Sequence, residues 1–445
     1  MSAIFGTDGI RGRVPGELNA SLAFRFGFAL GTWLRERAET RPQIAVGRDP
    51  RYSSDMLEAA VIAGACAAGT DVKRLDVIPT PAVSWYTRRH ALQAGIMISA
   101  SHNSFEYNGI KCFTAEGGKL TQEQERELQE RIQQEPCEET VPHAVGQVLP
   151  AMCSPVREYT DYLSDCVRAD ISSVRVLFDC ANGAASATVP RLIRCLDLNA
   201  DLIFSAPDGK NINRDCGSTR PEYLGQAVRQ GGYDIGFAFD GDADRCIAVD
   251  EAGTVMDGDV LLLAIAEHWK RQGRLPNAAI TTTVMANMGL QERAHACGIA
   301  VHTSEVGDSR VMQKMKGTGC LLGGEPSGHL IFSDYSMTGD GQLTAMLLLE
   351  AMAQEGCAAS VLRTRLVPWP QVLQNVPVPK AKKQSLLHRS SVEKAVEQAK
   401  GFLGEGRILL RPSGTEDMIR ILAEGREANK VAMAIELLTD TIRKA

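Results

Sequence analysis

Residues 233–239 read Tyr-Asp-Ile-Gly-Phe-Ala-Phe, and residues 240–245 continue Asp-Gly-Asp-Ala-Asp-Arg. The first run has the composition of a buried strand, so the three carboxylates fall in the loop at its C-terminal end. Alternate residues there can turn their oxygens towards one point. Carboxylates that close repel one another, and a hard divalent cation with oxygen ligands removes the conflict. An EF-hand loop shares this register through Asp240, Asp242, Asp244, Ile247 and Glu251. Against it stand Arg245, where that loop needs glycine, and the strand character of the preceding segment. A haloacid-dehalogenase-type nucleophile loop would want threonine in place of Asp244.

Strand and helix patterns alternate on both sides of this stretch. Residues 20–38 and Asp55–Ala68 have helical spacing, while Gln43–Gly47, Val72–Val77 and Ala94–Ile98 read as strands. The alternation recurs at 174–180, 188–195, 233–239, 259–270 and 279–284, which predicts parallel α/β layers. Breaker-rich segments at Gln133–Pro150, Asp250–Thr254 and Val367–Pro379 divide the chain. The last unit reads helix (Ser391–Leu403), strand (Arg407–Leu410), strand (Met418–Ala423), helix (Ala428–Lys444). The expectation is three consecutive mixed or parallel α/β domains, at 1–152, 153–251 and 252–366, and a smaller α+β domain at 367–445.

A length of 445 residues exceeds one ordinary core. With 44% hydrophobic and 23% charged residues the chain has a soluble globular balance. A net charge of only −6 offers no basic field for nucleic acid, so an anionic ligand must be gripped locally. The 12 cysteines contain no CxxC pair, the start lacks a leader pattern, and no apolar run reaches a membrane span. These features predict a cytoplasmic protein with reduced thiols and no membrane partner. They leave monomer and homodimer both open.

Four further loops carry chemistry. Ile98-Ser-Ala-Ser-His-Asn-Ser-Phe105 offers Ser99, Ser101 and Ser104 as nucleophiles or phosphate ligands around His102, with Lys111 ten residues after Ser101. Gly323-Gly-Glu-Pro-Ser-Gly-His329 can set Glu325 and Ser327 onto sugar hydroxyls. In Arg411-Pro-Ser-Gly-Thr-Glu416 an arginine fork, two hydroxyls and glycine-flanked N–H groups can surround a phosphate, and Arg420 follows on the next strand. Phe5-Gly-Thr-Asp-Gly-Ile-Arg-Gly-Arg13 supplies tight turns and positive charge without a nucleotide-loop spacing. Each string alone reads as an ordinary polar turn.

In this order the five loops resemble the α-D-phosphohexomutase family over essentially the whole chain. Phe5–Gly12 and Asp208–Thr219 (Asp-Gly-Lys-Asn-Ile-Asn-Arg-Asp-Cys-Gly-Ser-Thr) are close to its glucosamine-phosphate branch. The resemblance implies that Ser101 carries a phosphoryl group and that Asp240, Asp242 and Asp244 hold one Mg²⁺ per chain, with an oxygen on Ser101 completing the shell. Arg11 and Lys111 flank the serine, Lys111 as candidate base, and Arg245 lies beside the metal loop. Glu325 and Ser327 orient the sugar, His329 lies close to the reacting hydroxyl, and Arg411, Ser413, Gly414, Thr415 and Arg420 clamp the substrate's phosphate. The implied activity is interconversion of glucosamine 6- and 1-phosphates through a glucose- or glucosamine-type 1,6-bisphosphate, which also serves as primer, in amino-sugar and peptidoglycan-precursor synthesis. The chain departs from the pattern at Ser104 (proline is usual), Pro326 (glutamine) and Asp417 (proline). Glucose or mannose phosphate with the same mechanism, or a non-catalytic metal- or sugar-phosphate-binding protein, are the competing readings.

Overall fold

The computed structural model describes residues 5–6, 8–134, 145–150, 153–379, 382–412 and 417–444. It divides into two compact units: Met1–Met285 with Gly298–Arg365, and Ala286–Cys297 with Leu366–Ala445.

The larger unit carries three sheets. The first, of seven strands, runs in the order Phe5–Gly6, Gly9–Arg13, Tyr107–Thr114, Ala94–Ile98, Gln43–Arg48, Asp71–Val77 and Val148–Leu149. Ala94–Ile98 is buried along its whole length and pairs in parallel with Gln43–Arg48 but antiparallel with Tyr107–Thr114. The second sheet, of five strands, places Ile235–Phe239 between Arg175–Asp179 (parallel) and Cys246–Asp250 (antiparallel). Both Ile235–Phe239 and Cys246–Asp250 are fully buried, so the acidic loop is the turn of a hairpin buried on both faces. The third sheet holds Ala300–Ser304, Ala279–Thr283, Leu322–Gly324 and Leu330–Phe332.

Side-chain caps fix where several helices begin. Asn19 accepts from Leu22 N at the start of Ala20–Arg35, Asp257 from Val260 N at Gly258–Arg271, and Asp340 from Leu343 N at Gly341–Glu355. No described helix is long and apolar enough to cross a membrane. The described cysteines are all free thiols.

In the smaller unit the proline-rich segment read as a linker contains a strand, Gln371–Pro377. It pairs antiparallel with Met418–Gly425, which pairs in turn with Gly406–Pro412. The sheet therefore has three strands rather than the two expected. Gln371–Pro377 lies at its edge, where a proline without an N–H is tolerated. Helices Ser390–Leu403 and Ala428–Lys444 pack against the sheet in one apolar core, which makes this unit α+β. It also takes in helix Met288–Ala296: Met288 N donates to Glu424 Oε1 at 2.7 Å, and Asn287 Nδ2 donates to Trp369 O at 3.0 Å.

Helices Ala20–Arg35 and Ser54–Ala67 lie in close contact. A Cβ on Gly64 would come within 2.1 Å of Phe24 O, and one on Gly27 equally near Val61 O. Gly64→Ala is expected to lower the melting temperature and to cost about 1–3 kcal/mol by overpacking in a urea titration. It lies away from the acidic loop, so activity at 25 °C should persist.

Candidate active site

The loop after Ala94–Ile98 and the acidic loop after Ile235–Phe239 meet within the larger unit. Ser101 adopts φ +52°, a left-handed conformation unusual for a residue with a Cβ. Its hydroxyl donates to Asp240 Oδ2 at 2.5 Å and lies 3.3 Å from His102 Nδ1. Asp240, Asp242 and Asp244 are all buried, with one oxygen from each lying within 4.8 Å of the others. Among the described residues neither Asp242 Oδ1 nor Asp244 Oδ1 has a hydrogen-bond partner. Converging buried carboxylates with unsatisfied oxygens fit a hard divalent cation.

Lys111 comes from strand Tyr107–Thr114, opposite Met97. Its Nζ donates to Asp242 Oδ2 at 2.8 Å and Asp244 Oδ2 at 3.0 Å, and lies 3.2 Å from Asp8 Oδ2. Burial alone would make it easier to deprotonate. Asp242, Asp244 and Asp8 overturn that and hold its proton well above the usual lysine range. With its three acid partners Lys111 stands as an ammonium in this cluster. Asp240 moves the other way from most paired acids: burial, then the charges of Asp244 and Asp242, raise it well above the carboxylate range. Burial also opposes ionisation of Asp244, but Lys111, His329 and Arg245 outweigh it and keep Asp244 ionised to low pH.

Of the remaining predicted residues of this unit, Arg11, Arg245 and His329 border the same cluster. Arg11 Nη2 bonds Asp8 Oδ2 at 3.1 Å. Arg245 N donates to Asp240 Oδ1 at 3.2 Å, and its Nε lies 4.0 Å from Asp244 Oδ1. His329 Nε2 accepts from Gly339 N at 3.0 Å, so its Nδ1 carries the proton and faces Asp244 Oδ1 at 3.7 Å. Glu325 Oε1 accepts from Gly307 N at 3.0 Å, and Ser327 Oγ is buried without a partner among the described residues.

Sequence reading missed several groups here. Thr80 donates through both N and Oγ1 to Asp242, at 2.9 and 2.5 Å. Lys119 bonds both Asp8 and Asp308. In isolation all of these look like a helix start or surface charges, and only tertiary contact sets them apart.

Arg411 and Arg420 lie in the smaller unit, directly opposite each other on adjacent antiparallel strands. Directly opposite positions put both side chains on the same face of that sheet. Ser413, Gly414 and Thr415 lie outside the described residues.

Sequence profiles of the phosphoglucomutase/phosphomannomutase family match almost the whole chain: alpha/beta/alpha domain I at residues 2–138, domain II at 157–253, domain III at 257–368 and the C-terminal domain at 373–437. The chain is 41% identical over 450 residues to a phosphoglucosamine mutase of Desulforudis audaxviator, covering 99% of this chain and 98% of that one. It is also 41% identical to a phosphoglucosamine mutase of Geobacillus thermodenitrificans, covering 100% and 99%. Among solved structures, a phosphoglucomutase/phosphomannomutase family protein from Burkholderia thailandensis superposes with TM-score 0.81 at 24% identity, covering 99% of this chain and 97% of that one. An Aspergillus fumigatus N-acetylphosphoglucosamine mutase, solved with GlcNAc-6P and magnesium, superposes at 0.69 with 15% identity, covering 99% and 95%. At those identities the two structures speak for the fold.

His102 is pushed down from 6.5 to about 4, first by burial and then by Arg245 and Arg11. An NMR titration of its ring protons is expected to show no protonation between pH 5.5 and 8. The folded state takes up this proton later than the unfolded chain does. The group's share of stability is therefore present above pH 6.5 and shrinks as pH falls towards 4.

Proposed function

The chain belongs to the phosphoglucomutase/phosphomannomutase family, and on that premise we propose that it interconverts glucosamine 6-phosphate and glucosamine 1-phosphate, with Ser101 as the phosphoryl carrier. The observation that carries this reading is the contact of Ser101 Oγ with Asp240, 2.5 Å apart, inside a buried cluster of three acids and Lys111. A pure sugar-phosphate binder has no use for a hydroxyl so placed. The sugar assignment rests on the 41% identity, over whole chains, to proteins named for glucosamine phosphate.

Asp240, Asp242 and Asp244 would hold Mg²⁺, with an oxygen on Ser101 beside it. Bound there, the ion neutralises charge on the oxygens of a transferring phosphoryl group. Residues of the chain do the rest. Lys111, Arg11 and Arg245 set fixed positive charge around the serine, where water is excluded and such charge acts strongly. Phosphorus leaves Ser101 Oγ as it bonds to the sugar's O1, and the O1 proton ends on Ser101 Oγ. The sugar is then a 1,6-bisphosphate. After it turns end for end, the P–O6 bond breaks as that phosphorus bonds to Ser101 Oγ, and the Oγ proton ends on O6, which leaves the 1-phosphate and restores the phosphoserine. Glu325, Ser327 and His329 would orient the ring, His329 in its Nδ1–H form. Arg411 and Arg420, with Ser413, Gly414 and Thr415, would bind the phosphate that is not being transferred. In this reading residues 1–152 carry the serine, 153–251 the acidic loop, 252–366 the sugar loop and 367–445 the phosphate loop.

Ser101→Ala is expected to lose on the order of a thousandfold or more in turnover, and mass spectrometry should find one phosphate on the active wild-type protein, at Ser101. The assay uses glucosamine, glucose and mannose 6-phosphates with a bisphosphate primer. Turnover fastest with glucose or mannose phosphate would overturn the sugar assignment, and full activity of Ser101→Ala would overturn the mechanism. Asp244→Asn should weaken Mg²⁺ binding at least about tenfold by calorimetry without substrate; unchanged affinity would put the ion elsewhere.

A further inference from the structure

The stretch Asp208–Thr219, singled out by its wording, has no part in the chemistry above. It crosses to the serine loop through one side chain. Asn213 Nδ2 donates to Ser101 O at 2.9 Å and to Asn103 O at 3.0 Å. From the opposite flank the fully buried Arg51 donates through Nη2 to Ser101 O at 2.7 Å. Its Nη1 reaches Ser104 O at 2.5 Å and Tyr107 O at 3.2 Å. Two donors thus fill the acceptor capacity of the Ser101 carbonyl.

The other end of residue 101 is held as well. Ser101 N donates to Ser99 Oγ at 2.9 Å, and Ser99 Oγ donates to Asp49 Oδ2 at 2.7 Å. Asp49 also accepts from Arg51 Nε at 2.8 Å, so one carboxylate steadies both flanks. Below the carbonyl lies the acidic loop. A Cβ on Gly241 would stand 2.5 Å from Ser101 O and 3.0 Å from Asn213 Nδ2, so only glycine permits this approach. Asn213 is itself anchored, with N donating to Ala181 O at 2.9 Å while Ala181 N donates to Asp179 Oδ1 at 2.8 Å.

A residue with a Cβ does not rest at φ +52° unless its surroundings over-determine it. Rotating the 101 peptide would swing Oγ away from Asp240. We propose that Asn213 is a positioning residue: with Arg51 it clamps the Ser101 carbonyl and so aims the serine hydroxyl, and the phosphoryl it carries, at the acidic loop. The loop at 104 lacks the proline usual in the family, and the Arg51 bonds to Ser104 O and Tyr107 O constrain it instead.

The inference rests on Ser101 being the phosphoryl carrier, and the test separates the two. Asn213→Ala removes the donor, and Asn213→Asp keeps the shape while facing two carbonyls with a carboxylate. For both, kcat is expected to fall tenfold or more, with the KM for glucosamine 6-phosphate within twofold of wild type; because Asn213 rests at φ +57°, the melting temperature should drop somewhat while the protein stays folded at the assay temperature. Single-turnover transfer from the phosphorylated enzyme to sugar should slow by the same factor as kcat. Wild-type kcat in both variants, alongside an inactive Ser101→Ala, overturns the role of Asn213. Loss of folded protein with kcat and KM changing together also overturns it, by assigning Asn213 to scaffolding alone. Full activity of Ser101→Ala overturns the underlying mechanism instead.

Discussion

Burial of negative charge at the end of strand Ile235–Phe239 is the constraint on which the larger unit depends. Asp240, Asp242 and Asp244 are almost without solvent, and Asp8 and Asp308 stand close by. Removing an ion from water costs several kcal/mol unless a partner replaces the lost solvation. The fold answers with cations from elsewhere in the chain: Lys111 from the first sheet, Lys119 beyond it, and Arg245 from the loop itself. Lys111 thus links the first sheet to the acidic loop of the second.

The layout was largely legible in the sequence because it is written in local pattern. Buried strands such as Ala94–Ile98 and Ile235–Phe239 are continuous apolar runs, and the acids sit at the strand end where alternate residues converge. Reading failed where tertiary contact overrides local character. Gln371–Pro377 looked like a linker because prolines flank it, yet an edge strand needs fewer N–H donors. Thr80, Lys119 and Asp308 carried no signal at all, since a lone charge or hydroxyl is ordinary on any surface, and Asp8 stood in a singled-out loop without being picked as a site residue. The three carboxylates around the Lys111 ammonium were likewise visible only in the folded chain.

In the smaller unit, Arg411 and Arg420 stand directly opposite each other on adjacent antiparallel strands. Under the proposed function, that pair would meet a phosphate carried by the substrate.

The three sheets of the larger unit look like interchangeable building blocks, but the serine is not the property of one block. Its hydroxyl bonds a residue of the second sheet's acidic loop, its carbonyl accepts from Asn213, and Gly241 leaves room for that carbonyl. Swapping the first layer for that of a distant relative would thus import a reactive loop without its setting. The setting of the serine is spread over three separate stretches of chain, around residues 101, 213 and 241, and none of them alone contains it.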